Sequence, residues 1–141
     1  MFDKILVGTD DAATARSAVE AAAQIAVMSK GELHVASTDA PTSFKATSDG
    51  EKFEAVNTED GVESLLQVLA FVTKEYGVEP ILHPLHGDPA DSLVAMADEL
   101  DADLIVVGNR GMKGVRRILG SVANSVAHSA NCSVLIVETA K

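Results

Sequence analysis

Gly108-Asn-Arg-Gly111-Met-Lys-Gly-Val-Arg-Arg-Ile-Leu-Gly120-Ser121 follows the apolar run Leu104-Ile-Val-Val107 and precedes a helical stretch from Val122 to Ala130. Strand, glycine loop and helix start, in that order, make a place where a main chain can wrap an anion. Glycine lets the backbone approach a ligand closely and adopt φ > 0. A helix N-terminus offers unpaired N–H groups and the positive end of the helix dipole. Ser121, at the expected N-cap, adds a hydroxyl. Arg110, Lys113, Arg116 and Arg117 fall in the same stretch, in a chain of net charge −10. The stretch reads as a phosphate cradle. The plainer alternative is a surface loop with a few glycines and solvated charges.

The rest of the chain bears on that choice. Lys4-Ile-Leu-Val-Gly-Thr-Asp10 reads as a short buried strand ending in turn residues, with Asp11 as an N-cap for a helix. Ala15, Ala18, Val19, Ala22, Ile25 and Ala26 recur at helical spacing, and Gly31 follows as a C′ stop. Glu32 to Ser37 is a second strand, and Thr38 to Glu54 is a polar stretch expected as a mobile loop or a lid. Thr58, Glu59 and Asp60 open a second helix whose buried face is Val62, Leu65, Leu66, Leu69, Val72 and Tyr76, ended by Gly77. Pro80 to His86 is a third strand, placed at an edge by Pro80 and Pro84, because proline cannot donate to a ladder. Asp88-Pro89 marks a third helix, with Leu93, Met96, Ala97 and Leu100 facing inward. Asp103 to Gly108 is a fourth strand, and its Leu104 to Val107 is apolar throughout, as a central parallel strand should be. A last short helix and the strand Ser133 to Glu138 complete the chain.

This β-α-β-α-β-α-β-α-β order predicts an α/β fold. It has one doubly wound, open, parallel five-stranded sheet with helices on both faces, formed by a single domain over residues 1–141. Ligands of such sheets sit at the carboxyl ends of strands, where strand order reverses. With order 3-2-1-4-5 that point lies between strands one and four, which end in Gly8-Thr9-Asp10 and Gly108. The two glycine-marked ends meet, which favours the cradle over the plain loop.

Bulk properties narrow the partners. With pI near 4.6, general binding to nucleic acid or anionic membranes is not expected. A single cysteine, Cys132, rules out an internal disulfide framework. No signal peptide or long apolar span is read, so a cytoplasmic location is expected. No Walker loop occurs, and the first strand lacks G-x-G-x-x-G.

The pattern G-x2-G-x8-G-S after the fourth strand, together with Gly8-Thr9-Asp10 after the first, closely resembles the universal stress protein family. Leu33-His-Val-Ala, His86-Gly-Asp-Pro-Ala and Ala102-Asp-Leu-Ile-Val-Val-Gly extend the likeness over essentially the whole chain. The resemblance implies the adenine nucleotide alpha hydrolase-like fold and an ATP-binding regulatory module of the stress response. It implies that Gly108, Gly111, Gly120 and Ser121 wrap the phosphates, with the Val122 N–H, and that Arg110 lies near the ribose and phosphates. Thr9 and Asp10 would sit by the ribose and phosphates, with Mg²⁺ as an accompanying ion, and Val35 would offer backbone hydrogen bonds to adenine. With Gly8 and Asn109 these residues form the candidate nucleotide-binding set; no catalytic residue and no metal-ligating set is assigned. The loop departs from the family pattern, with eight residues instead of nine between Gly111 and Gly120. The family also implies a homodimer through the fifth strand, Val134 to Val137.

Other residues read as structural. His34 is expected as a hydrogen-bonded core residue, and His83 and His86 as pointing to opposite faces. His128 reads as helix surface or a subunit contact, and Cys132 as packing. Two alternatives stand beside the ATP-binding module. One is a slow ATPase, for which no residue to position attacking water is evident. The other is a dimeric interaction protein that is nucleotide-free or takes AMP or cyclic AMP.

Overall fold

The computed structural model describes residues 2–9, 12–38, 59–109 and 121–138. The elements are β1 (Lys4–Thr9), α1 (Ala12–Ser29), β2 (Glu32–Thr38), α2 (Glu59–Lys74), β3 (Ile81–Leu85), α3 (Pro89–Leu100), β4 (Leu104–Gly108), α4 (Ser121–Ser129) and β5 (Ser133–Val137). The sheet is parallel with order β3-β2-β1-β4-β5. The strand order and the edge position of the proline-bearing strand are as the sequence implied.

Alternation along each strand assigns the two faces. Ile5 and Val7 of β1, Leu33 and Val35 of β2, and Leu104 and Val106 of β4 pack against the alanine stripe of α1 and Leu66, Leu69 and Val72 of α2. Leu6, Ala36, Leu85, Ile105 and Val107 point the other way, onto Leu93 and Ala97 of α3 and Ala123 and Val126 of α4. β4 is buried from Leu104 to Val107 because helices cover both of its faces. The side chains of Ala15, Val62 and Leu65, all of Asp11 and Thr58, and residues 39–54 of the expected loop lie outside the described residues.

The helix ends show how the layers are turned. Asp88 caps α3: its Oδ2 accepts the Asp91 N–H at 2.9 Å, and Pro89 takes the first helical position. α1, α2 and α3 close with paired carbonyl bonds around a left-handed residue. In α2 that residue is Gly77, φ 84°, as expected. In α1 it is Lys30, φ 61°, and not Gly31; in α3 it is Asp101, φ 59°. Gly31 donates to the Ala26 carbonyl at 3.0 Å, and a Cβ on it would lie 2.3 Å from the Phe2 carbonyl oxygen. Glycine is required there for close approach of two segments of the chain, not for its φ.

The start of β1 is fastened to the start of β4. The Asp103 carboxylate accepts the N–H groups of Lys4 at 3.0 Å and Asp3 at 2.7 Å. These bonds hold its pKa below the ordinary carboxylate range.

Candidate functional site

The carboxyl ends of β1 and β4 lie side by side, because β1 pairs with β2 on one side and β4 on the other. A cavity of about 640 Å³, counting its open mouth, sits there. Gly8 and Thr9 from β1, Gly108 from β4, and Ser121 and Val122 from α4 all line it. Five of the residues singled out from the sequence therefore meet, although more than a hundred positions separate Gly8 from Ser121.

Local chemistry explains the shape. Gly8 points to the α3 side, where a Cβ would come within 2.5 Å of Leu93 Cδ2. Its lack of a side chain lets α3 lie close against β1 below the cavity. Thr9 is buried, and its hydroxyl donates to the Ala36 carbonyl at 3.3 Å, tying the β1 rim to β2. The Asn109 N–H donates to the Val137 carbonyl at 2.9 Å, which carries the chain over β5 as it leaves β4. Asn109 is buried and is not among the residues that line the cavity.

α4 runs from Ser121, and Gly120 before it lies outside the described residues. Ser121 and Val122 present the first turn of α4 to the cavity, where N–H groups have no intrahelical partner. Asp10, Arg110, Gly111 and Gly120 also lie outside the described residues.

Val35 is fully buried inside β2, with its side chain in the α1 and α2 cluster; it does not line the cavity. The β2 contribution comes from Ala36 and Thr38, joined by Leu85 of β3 and Pro89 and Leu93 of α3. Sequence reading passed over these. It ended β2 at Ser37, whereas pairing of Thr38 with Leu85 carries the strand one residue further. Alternation in β2 could have assigned Thr38 to the same face as Ala36. Among the described residues the lining carries no charged side chain.

The histidines lie elsewhere. His34 is buried and hydrogen-bonded, as expected, but its partner is His83: Nδ1 and Nε2 are 2.8 Å apart, with the rings stacked at 5.1 Å. His34 Nε2 lies 3.0 Å from a Glu32 carboxylate oxygen. If Nε2–H donates to Glu32, His34 Nδ1 must accept from His83 Nε2–H. His86 lies beyond the end of β3. Burial first, then the His34 charge, pushes the His83 pKa below the usual imidazole value, with Glu99 of α3 opposing. Cys132 packs against the α3 and α4 cluster, and burial raises its thiol pKa, helped by Asp98 and Asp103. Among the described residues, no group of three or more potential ligands is placed to hold a metal ion, and no helix is long and apolar enough to cross a membrane.

The chain resembles known proteins along its whole length. The model of the universal stress protein family matches residues 1–138. Universal stress protein MJ0531 of Methanocaldococcus jannaschii is 33% identical over 145 residues, covering 100% of this chain and 85% of that protein. Universal stress protein Rv1636 of Mycobacterium tuberculosis is 34% identical over 152 residues, covering 98% and 97%. A solved universal stress protein in complex with cAMP has a TM-score of 0.76 and 32% identity, covering 99% of this chain and 98% of that one. A doubly wound sheet with its cavity at the switch point, matched end to end in this way, identifies the chain as a member of the universal stress protein family.

Proposed function

We propose that the protein is an adenine-nucleotide-binding regulatory module of the cytoplasmic stress response. The observation that carries this reading is the cavity shared by Gly8, Thr9, Gly108, Ser121 and Val122 at the ends of β1 and β4. The ligand is ATP with Mg²⁺. Its phosphates lie at the first turn of α4, wrapped by Gly108, Gly111 and Gly120, with Asp10 and Arg110 alongside. Nucleotide occupancy regulates by favouring one conformation of the 108–121 segment, which requires different affinities for two states.

Cyclic AMP is the second reading. It is supported by the related solved structure in complex with cAMP and by the uncharged lining among the described residues. A singly charged phosphodiester needs fewer cationic partners than a triphosphate. The functional unit is a homodimer joined at β5, an edge strand that pairs only with β4 among the described strands. Its Val134 to Val137 side chains are half-buried and apolar, and an open apolar edge is a template for pairing with a second chain.

Calorimetric titration of nucleotide-stripped protein with ATP–Mg²⁺, ADP, AMP and cyclic AMP tests the ligand. Saturable ATP binding, weakened by Gly111→Val and Ser121→Ala and tighter than AMP, is the expected result. Preference for cyclic AMP over ATP selects the second reading. No binding to any of the four refutes both.

A further inference from the structure

The cavity wall farthest from α4 is built by Ala36 and Thr38 of β2 and Leu85 of β3. Thr38 is only 8% exposed, and its register partner is Leu85. The hydroxyl of Thr9, the other buried threonine in the lining, is occupied by the Ala36 carbonyl. The Thr38 hydroxyl has no hydrogen-bond partner among the described residues. Yet no side-chain oxygen or nitrogen there is sealed from solvent without a partner, so this oxygen keeps its access through the cavity that Thr38 lines. A hydroxyl that reaches the cavity is satisfied by water there, and a ligand that displaces that water must replace its hydrogen bond.

Position in the sheet says which part of a ligand it meets. β2 is two strands from β4, a separation of about 9–10 Å at the usual strand spacing. With the phosphate end at β4 and α4, and β1 beneath the sugar, the base reaches β2 and β3. Ala36 and Leu85 are apolar and suit the flat face of a purine. A hydroxyl offers one donor and two acceptor sites, so it can pair with a ring nitrogen or an exocyclic amino group.

We infer that Thr38 is a specificity-determining residue whose hydroxyl bonds the edge of the bound base. The inference rests on the nucleotide reading of the cavity. Thr38→Val keeps the branched shape that suits a strand and removes only the hydroxyl. Thr38→Ser keeps the hydroxyl and removes the methyl group. The test measures ATP binding to wild type and both variants, with ribose 5-phosphate as a competitor that carries sugar and phosphate but no base. Thr38→Val should weaken ATP about 10-fold, the effect of one unmade hydrogen bond in a buried site. It should leave ribose 5-phosphate within about twofold, and Thr38→Ser should restore most ATP affinity.

Unchanged ATP affinity in Thr38→Val overturns the inference while leaving the nucleotide site intact. An equal loss for ATP and ribose 5-phosphate also overturns it, because the hydroxyl then serves the sugar or the shape of the pocket. Failure of the wild type to bind ATP overturns the ATP reading, and this inference with it; failure to bind any of the four nucleotides overturns the nucleotide reading as a whole.

Discussion

Adding one methyl group at Gly8 tests how α3 is seated under the cavity. The Cβ of Gly8→Ala would lie 2.5 Å from Leu93 Cδ2, 2.9 Å from Cδ1 and 3.2 Å from Cγ. Nonbonded carbons settle at about 3.5–4.0 Å, so the Leu93 tip must retreat by roughly 1–1.5 Å. Leu93 is buried and lines the cavity. Two effects compete. Gly8 is not among the residues with positive φ, so alanine gains about 0.4–1 kcal/mol from a stiffer unfolded chain. Overpacking costs about 1–3 kcal/mol, so destabilisation wins.

Leu93→Ala alone should cost about 2–5 kcal/mol, as other buried leucines do. The hole it leaves is where the methyl group added by Gly8→Ala would go. The double variant should therefore be more stable than the sum of the singles by about 1–3 kcal/mol. Urea denaturation followed by circular dichroism, compared at constant m, measures all four corners. Nucleotide affinity should fall in Gly8→Ala and recover in the double variant. Stability effects additive within about 0.5 kcal/mol would refute the argument that Gly8 exists to admit Leu93.

Two further predictions concern the sheet edges. His83 titrates below its unfolded value, so as pH falls through about 6.5 the unfolded chain takes up a proton that the folded His83 refuses. Stability should decline between pH 7.5 and 5.5 and level off below the folded pKa. The change in urea midpoint over that range should be smaller in His83→Gln, and an equal change in both proteins would rule out His83 as the source. At the opposite edge, sedimentation equilibrium should find a species of about twice the 14.7 kDa chain mass, and a strictly monomeric protein at all concentrations would exclude pairing through β5.

Much of the architecture is legible in local pattern. A helix or a strand declares itself through the spacing of its own apolar residues, and connections between parallel strands are nearly always right-handed. The continuous apolar run carries Leu104 to Val107 to the sheet centre, and Pro80 and Pro84, which cannot donate to a ladder, carry their strand to an edge. The resulting strand order brings Gly8 and Gly108 to one switch point. The Asp88-Pro89 start of α3 is local too, since a cap is a bond between residues three apart.

What could not be read locally depends on partners far along the chain. Gly31 looks like a helix stop, but it is needed because the Phe2 carbonyl lies against it, while Lys30 takes the left-handed turn. His34 meets His83 across 49 positions, through the register of β2 against β3. The same register draws Thr38 into the strand and into the cavity wall. By itself, then, the sequence determined the elements, their order and the end of the sheet where a ligand can sit, because periodicity and chain connectivity are written residue by residue. Only the tertiary structure decided which side chains line that end and what each one touches, because alternation marks two faces of a strand without saying which helix layer will cover either.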